Sequence, residues 1–293
     1  MRVLKRNGTL EKLRFENVRK QTKPSVEGLD LSYEELEVDM KILFTDGIKS
    51  TDIQKSLIIT ALNKIDVDAP KWTFVAARLS LYDIYHDIKR LYGKVGNGDV
   101  YDKVTLKDYI NFNLNVLSDF HLKYTDAEIN ELNSIIDSKK DLLFDYLGFV
   151  TYRERYAIVN DGNVSELPQH LHMAVAMYLA QNEVDKVHWA KKFYKVECDL
   201  EFINATPINS NGRLKDGSTI SCLVATTSDS INGIFDTAKE VAKGSSLGSG
   251  WGIDWSRVRS LGSKIGERIN AAGGKIPFLK IFNSISVGVD QKG

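Results

Sequence analysis

The most constraining feature of the sequence is a strand, a helix and a second strand that follow one another near the C-terminal end. Short apolar runs at 220–225 and 252–255 predict the strands, and residues 230–243 predict the helix between them. This order is typical of a parallel α/β unit. Only two or three strands fit before Gly293, and a sheet that small cannot cover its own core. We therefore expect residues 205–293 to be the incomplete first segment of a larger α/β domain.

The N-terminal end predicts a β-hairpin followed by a helical bundle. Residues 2–5 and 11–13 are the expected strands, and Asn7-Gly8 is a strong turn signal because both residues tolerate positive φ. Pro24 is expected to shorten the first helix. A later helix is predicted from about 70 to 92, ended by nearby glycines. Two further helices are expected to start at capping boxes, Ser32 with Glu35 and Thr51 with Gln54.

The middle of the chain predicts further helices. Thr125 with Glu128 is a capping box, Pro168 suits a first helical position, and 185–196 has helical periodicity. A short hairpin or loop is expected at 160–163. The fold class is therefore mainly α with α/β, and we expect three domains. Their predicted bounds are 1–94, 95–204 and 205–293.

Composition excludes several functional classes. Basic and acidic residues number 39 each, so the charge footprint of a dedicated nucleic-acid binder is lacking. Two cysteines, Cys198 and Cys222, are too few for a disulfide framework or a four-cysteine zinc site. The sequence shows neither a signal peptide nor an apolar run of membrane-spanning length. We expect a cytoplasmic protein that contacts neither nucleic acid nor membrane and holds no metal of its own.

Three groups of residues are candidates for chemistry. Lys5 and Arg6 beside the hairpin turn could bind phosphate, although their spacing alone favours a solvated hairpin at a chain terminus. Cys222 at the start of a strand could act in a dithiol pair, although a lone cysteine is usually a small buried residue. Asp229 precedes a helix and could hold a ribose or simply cap that helix. The glycine-rich run 244–252 lacks dinucleotide-binding spacing and is interpreted as a turn into a strand.

Residues 1–92 resemble the ATP-cone domain, a small module of ribonucleotide reductases that reads the ratio of ATP to dATP. The resemblance implies that Lys5, Arg6 and Glu11 hold the nucleotide. Three positions depart from the family pattern: Arg14 and Asn17 stand where related cones often carry Asn and Lys, and Gln54 stands where some carry His. The motifs that carry the resemblance are Val3-Leu4-Lys5-Arg6-Asn7-Gly8, Phe44-Thr45-Asp46-Gly47-Ile48, Thr51-Asp52-Ile53 and Ala76-Ala77-Arg78-Leu79.

The C-terminal segment is similar to the start of the ten-stranded α/β barrel of large subunits of aerobic class Ia ribonucleotide reductase. Ala205-Thr206-Pro207, Ser221-Cys222-Leu223-Val224 and Asp229-Ser230-Ile231 carry this similarity. It implies that Cys222 is one half of a redox pair that reduces the substrate. The implied substrate-binding residues are Thr206, Ser221, Cys222, Ser249 and Gly250. The implied specificity-effector residues are Asp229, Ser230, Ile231, Arg259, Ser263 and Ile265.

The resemblance also implies partners and cofactors. The effectors would be Mg-bound ATP, dATP and other deoxynucleoside triphosphates, and the substrates would be ribonucleoside diphosphates. The second redox cysteine and the radical-bearing cysteine are expected beyond Gly293, on a C-terminal half of the large subunit. A small subunit with a di-metal radical cofactor, a second large subunit and thioredoxin or glutaredoxin complete the expected assembly. By itself the chain is expected to be inactive, as a split gene product, an exon product or a truncated chain.

Two other functions are compatible with the sequence. A cobalamin-dependent ribonucleotide reductase shares the barrel and sometimes the cone. A stand-alone regulatory module that senses ATP or dATP would use the cone alone. Known cone repressors carry a zinc ribbon, however, and the two cysteines of this chain cannot build one.

Overall fold

The computed structural model describes residues 2–6, 8–40 and 46–289, which are mainly helical. The chain forms two compact units, residues 1–203 and residues 204–293. The domain boundary expected near residue 94 lies inside the first unit and remains a prediction. No helix within the described ranges is long and apolar enough to cross a membrane.

The first unit begins with the predicted hairpin. Strands β1 (Arg2–Leu4) and β2 (Leu10–Lys12) pair antiparallel, with Val3 opposite Glu11. Gly8 has a φ of +84°, as the turn requires, whereas Asn7 lies outside the described residues. A third strand that sequence patterns did not predict, β3 (Ile48–Lys49), pairs parallel to β1.

Four helices pack around a core under this small sheet. The centre of the core contains Leu36, Leu57, Val75 and Leu79, each with no exposed surface. Apolar side chains from all four helices and from β1 therefore share one cluster. The helices are α1 (Phe15–Ser25), α2 (Tyr33–Asp39), α3 (Ser50–Asn63) and α4 (Trp72–Leu91).

The predicted helix starts and stops have mixed outcomes. The Ser32 hydroxyl accepts hydrogen bonds from the backbone N–H groups of residues 34 and 35, so the expected cap of α2 is confirmed. The capping box at Thr51 is wrong, because the N-cap of α3 is Lys49, two residues earlier, and it makes no side-chain cap bond. Gln54 is instead buried, and its amide donates to the carbonyl of Leu79 at 2.8 Å. Helix α1 continues through Pro24 and ends one residue later.

The rest of the first unit is helical, as expected. Thr125 and Glu128 form a complete capping box, and Pro168 lies in the first turn of its helix. The predicted hairpin is present as β4 (Val159–Asn160) and β5 (Asn163–Val164). The helices are α5 (Val100–Lys103), α6 (Leu106–Phe112), α7 (Asp126–Ser134), α8 (Tyr146–Thr151), α9 (Pro168–Ala180) and α10 (Lys186–Cys198). Shorter 3₁₀ turns span Asp119–Lys123 and Ser138–Leu143, and a π-helical turn spans Tyr152–Tyr156.

A buried carboxyl group ties α4 to the elements that follow it. Both oxygens of Asp141 accept hydrogen bonds, from the Tyr85 and Tyr101 hydroxyls and from the Gln169 amide, the last at 2.7 Å. Burial raises the pKa of Asp141 to about 6, although the three donors favour its ionised form. Both oxygens of Asp141 therefore have hydrogen-bond partners, but the negative charge of the ionised carboxylate is disfavoured at this buried position.

The second unit contains the predicted strand, helix and strand. Strands β6 (Cys222–Thr226) and β7 (Gly250–Asp254) pair parallel, so the α/β interpretation is confirmed. The helix between them, α12 (Ile231–Ser246), ends three residues later than expected. A short α11 (Thr206–Asn211) precedes β6, and α13 (Ile276–Val289) follows β7. The core of this unit is formed by Ile234, Ala238, Val241, Val258 and Phe282.

We expect Gly244→Ala to destabilise the second unit by about 2 kcal/mol, because an added methyl group overpacks a tight contact. A Cβ at residue 244 would lie 2.5 Å from the indole Nε1 of Trp251. Gly288→Ala in α13 is the matched control, since nothing lies within 4 Å of its Cβ position. Alanine favours a helix over glycine, so the control should be neutral or slightly stabilising. Urea unfolding followed by tryptophan fluorescence measures both, and equal stabilities would contradict the expectation.

Candidate functional site

The first candidate site is a cavity of about 630 Å³ in the first unit. It lies between the hairpin, α1, the C-terminal end of α4 and the loop that follows α4. The three residues implied to hold a nucleotide, Lys5, Arg6 and Glu11, all line it. The volume falls within the range of about 300–1,000 Å³ that is usual for small-molecule sites.

The lining of this cavity is strongly basic. Its described residues include seven lysines and arginines but one acidic residue, Glu11, whose carboxylate lies 3.9 Å from the Lys5 ammonium. Three of the cations, Arg14, Lys20 and Lys89, have no acidic partner within 4 Å in the part of the chain that the structure describes. Low-dielectric walls lined by one sign of charge concentrate ions of the opposite sign. The cavity is therefore suited to an anion.

Arg6 is not free in this cavity. Its Nη1 donates to Asp87 Oδ1 at 2.6 Å, and its Nη2 binds the carboxylate of Asp83. Nη1 also lies 3.3 Å from the backbone carbonyl of Asp83. The guanidinium fork expected to meet phosphate is thus directed at two carboxylates of α4.

Two further positions shape the cavity without adding charge. Burial, assisted by the nearby cations Lys89 and Arg6, lowers the pKa of His86 to about 4, so its imidazole is neutral at pH 7. Gln54 also lines the cavity, and its amide nitrogen donates a hydrogen bond to the Leu79 carbonyl of α4. The other two departures from the family pattern also line the cavity, Arg14 as the N-cap residue of α1 and Asn17 in the first turn of that helix.

The second candidate site surrounds Cys222 in the second unit. Cys222 is the first residue of β6, and its side chain is exposed. Its partner across the parallel ladder is Gly250, which leaves the space beside the thiol unfilled. The Gly250 N–H donates to the Ser221 carbonyl at 2.8 Å, and the Ser249 hydroxyl donates to the carbonyl of residue 220 at 2.6 Å. Four of the implied substrate residues are therefore brought together, while Thr206 begins α11.

One face of this two-stranded sheet is uncovered within residues 204–289. The exposed positions alternate along both strands, and Val224 is 88% exposed. An apolar strand residue in water is costly, so this face suits a covering element or ligand. The exposed positions are Cys222, Val224, Thr226, Gly250, Gly252 and Asp254.

The implied effector residues cluster at the N-terminal end of α12. Ser230 caps this helix by accepting from the N–H of Gly233 at 3.1 Å, and Ile231 follows it with 62% of its surface exposed. Asp229 Oδ2 accepts from Arg259 Nε at 2.7 Å, so the two side chains implied to hold ribose and phosphate hold each other.

Ser263 and Ile265 lie in the loop implied to be the first effector loop. The loop is closed by backbone hydrogen bonds, among them Ala272 N–H to Ser263 O at 3.0 Å. Ile265 forms an isolated antiparallel bridge with Arg268. Arg259 also reaches this loop, because its Nη1 donates to the Lys264 carbonyl at 3.0 Å.

The other cysteine has different surroundings. Cys198 is the last residue of α10 and is buried. Burial raises the pKa of its thiol to about 11. A thiol of this kind is unreactive at neutral pH.

Sequence reasoning missed several residues of the first cavity. Lys89, Arg90, Lys94 and the loop 93–97 line it, yet the glycines of that loop were interpreted as a helix stop alone. The acidic pair that holds Arg6 was also missed. The available signal was the i, i+4 spacing of Asp83 and Asp87, which places both carboxylates on one face of α4.

Comparison with known proteins identifies the class. A family model described as the all-alpha domain of ribonucleotide reductase matches residues 142–217. A second model, described as the barrel domain of ribonucleotide reductase, matches residues 220–293. Together the two models account for about half of the chain. They agree with a helical region followed by the start of a barrel, which confirms the predicted fold class.

Curated relatives extend the similarity over the whole chain. The ribonucleoside-diphosphate reductase subunit alpha of Helicobacter pylori is 42% identical over 99% of this chain and 36% of its own length. The subunit alpha of Synechocystis is 31% identical over 100% of this chain and 37% of its own length. The reductase 1 subunit alpha of Escherichia coli is 30% identical over 99% of this chain and 38% of its own length. The chain belongs to the ribonucleotide reductase large-subunit family. It spans a little over a third of the length of these relatives.

Proposed function

We propose that this chain supplies nucleotide effector sites and one redox cysteine to the reduction of ribonucleoside diphosphates for DNA synthesis. The observation that carries the proposal is the exposed Cys222 beside Gly250 on an uncovered strand face. A thiol in that place is open to a substrate and to a second thiol. Ser221, Ser249 and Gly250 flank this thiol and are held there by hydrogen bonds from Gly250 N–H to the Ser221 carbonyl and from the Ser249 hydroxyl to the carbonyl of residue 220, which supports a place for them beside the same substrate.

The chemistry needs a dithiol. Two thiols give up two electrons and two protons as they close to a disulfide, and the ribonucleoside diphosphate is converted to its deoxy form with release of water. The second thiol and the radical-bearing cysteine are proposed to come from parts of the large subunit outside this chain. A thioredoxin-type reductant would then return the disulfide to the dithiol. A small subunit with a di-metal centre would supply the radical, and the relatives' printed name, subunit alpha, favours this type over a cobalamin-dependent one.

The effector sites are proposed at two places. The basic cavity of the first unit would bind ATP or dATP, with Lys5 and Glu11 in contact with the nucleotide. The group around Asp229 and Arg259 would bind deoxynucleoside triphosphates, with Ser230, Ile231, Ser263 and Ile265 beside them. That binding requires the present Asp229 to Arg259 ion pair to open or to rotate. Mg²⁺ would arrive with the nucleotides, and the assembly, a dimer of large subunits with small subunits, would work in the cytoplasm.

The overall proposal is tested with a large subunit that contains this chain, mixed with its small subunit and a thioredoxin-type reductant. We expect conversion of a ribonucleoside diphosphate to the deoxyribonucleoside diphosphate, measured by chromatography. A folded assembly that binds effectors but forms no product, with or without added adenosylcobalamin, would leave the regulatory-module interpretation instead.

Lys5→Ala is expected to weaken ATP binding by the chain about tenfold, because one charge-assisted contact to phosphate is lost. Lys12→Ala is the matched control, since Lys12 is an exposed lysine of the same hairpin that does not line the cavity. Isothermal titration calorimetry with ATP and with dATP measures both. Equal losses in the two variants would indicate a general charge effect and would contradict the assignment of the site.

A further inference from the structure

We propose that Asp83 and Asp87 are positioning residues that compete with bound phosphate for Arg6 and so set the nucleotide affinity of the first cavity. The inference rests on the proposed nucleotide site. It concerns two acidic residues that pair with Arg6 from α4 and do not line the first cavity.

The contacts of Arg6 support this competition. Its side chain is only 18% exposed, and both Nη atoms are directed at α4 rather than into the cavity. Arg90 strengthens the arrangement, because its Nη2 lies 3.4 Å from the same Asp87 carboxylate and its Nη1 donates to the Arg6 carbonyl. The guanidinium has five N–H donors, and those on Nη1 and Nη2 are the donors that a bidentate phosphate contact would use.

A phosphate that enters the cavity must therefore either leave Arg6 unused or withdraw it from its two carboxylates. Withdrawal costs the existing ion pairs and leaves two anions behind. Arg14, Lys20 and Lys89, which have no acidic partner among the described residues, attract the anion, whereas Asp83 and Asp87 oppose the transfer of Arg6 to it. Removing the two carboxylates should make the cavity bind more tightly.

The same two carboxylates reach a second cavity on the other side of α4. This cavity, of about 360 Å³, is lined by Asp83 and Asp87 together with Lys55 of α3 and Arg153 of the π-helical turn. If Arg6 leaves, the freed carboxylates face these two cations. Occupation of the first cavity is thereby transmitted to the segment 152–164, of which Arg153 and residues 162–164 line the second cavity.

The test is the double variant Asp83→Asn, Asp87→Asn, titrated with ATP and, separately, with inorganic tripolyphosphate. We expect both ligands to bind about fivefold more tightly than to the unmodified chain, which corresponds to roughly 1 kcal/mol. If the two carboxylates only stabilised the fold, their removal would lower the affinity for both ligands instead of raising it. Asp46→Asn is the matched control, because Asp46 pairs with Arg2 of the same hairpin at 2.5 Å but does not line the cavity. The double variant Asp83→Glu, Asp87→Glu keeps both carboxylates and should bind with the original affinity.

The outcomes separate the inference from the proposed function. Equal or weaker binding in the double variant overturns the inference, and absence of binding of either ligand to either protein overturns both. Tighter binding of tripolyphosphate without preference for ATP supports the inference but contradicts the nucleotide site. As a second measurement, ATP should change hydrogen exchange in residues 152–164 of the unmodified chain and not of the double variant. If ATP changed hydrogen exchange equally in the unmodified chain and the double variant, the proposed transmission between the two cavities would be overturned.

Discussion

Cys222→Ser is expected to abolish reduction of ribonucleoside diphosphates by a large subunit that contains this chain, with a loss of at least about a thousandfold in kcat. A hydroxyl cannot form a disulfide, so the two electrons that reduce the substrate have no source. Cys222 is exposed, and its neighbour across the ladder is a glycine, so serine fits without strain. Turnover with a thioredoxin-type reductant is the measurement.

Cys198→Ser provides the matched control for this experiment. Cys198 is buried at the end of α10, and its sulfur donates to the Lys195 carbonyl at 3.4 Å, a bond that a hydroxyl can replace. We expect this variant to keep most of its activity. Comparable turnover of the Cys222→Ser and unmodified subunits would remove the redox role from Cys222, and a matching loss in the Cys198 variant would point to misfolding.

Asp141→Asn is expected to remove a pH dependence of stability worth about 3 kcal/mol. Burial raises the folded-state pKa of Asp141 from 3.8 to about 6. The stabilising contribution of the protonated group is therefore fully present below about pH 4 and is lost as the pH rises through 6. Asparagine keeps the shape and does not ionise. The stability of the unmodified chain relative to this variant should thus fall between pH 4 and pH 7.5.

Urea unfolding at a series of pH values measures this difference. Asp102→Asn is the control, because Asp102 is an exposed residue outside the network. Its stability difference from the unmodified chain should not vary over the same pH range. If the stabilities of the Asp141→Asn variant and the unmodified chain varied with pH in the same way, the Asp141 carboxyl group would have an ordinary pKa in the folded protein. The effect is of interest because Tyr85, a donor to this carboxyl, lies on α4 between the two residues that hold Arg6, two positions from each.

In both proposed effector sites, an arginine implied to hold the nucleotide is paired with carboxylates of the chain itself. Arg6 pairs with Asp83 and Asp87, and Arg259 pairs with Asp229. In each case the cation implied to meet phosphate is already satisfied by carboxylate. A nucleotide that uses either arginine must displace its carboxylate partner, so its affinity depends on these ion pairs as well as on its own contacts. Salt should weaken binding at the exposed Asp229 to Arg259 pair more strongly than at the half-buried Arg6.

Local signals in the sequence determined much of this protein. Gly8 marked the hairpin turn, Ser32 and Thr125 marked helix starts, and Pro168 marked another. These features depend on backbone preferences and on hydrogen bonds a few residues apart, so a short stretch of sequence suffices to predict them. The motifs around Lys5 and Cys222 were also sufficient to indicate the family.

Tertiary structure decided the rest, because the deciding contacts join distant residues. Arg6 meets Asp83 across 77 positions of the chain, and Gln54 serves Leu79 across 25, which overrides its expected part in a capping box. Strand β3 exists because β1 offers it an edge. No local pattern specifies such partners, since their free energy is gained only when separate elements pack together. The sequence therefore indicated which residues could bind a phosphate, and the packing of α4 against the hairpin decided which of them is already occupied.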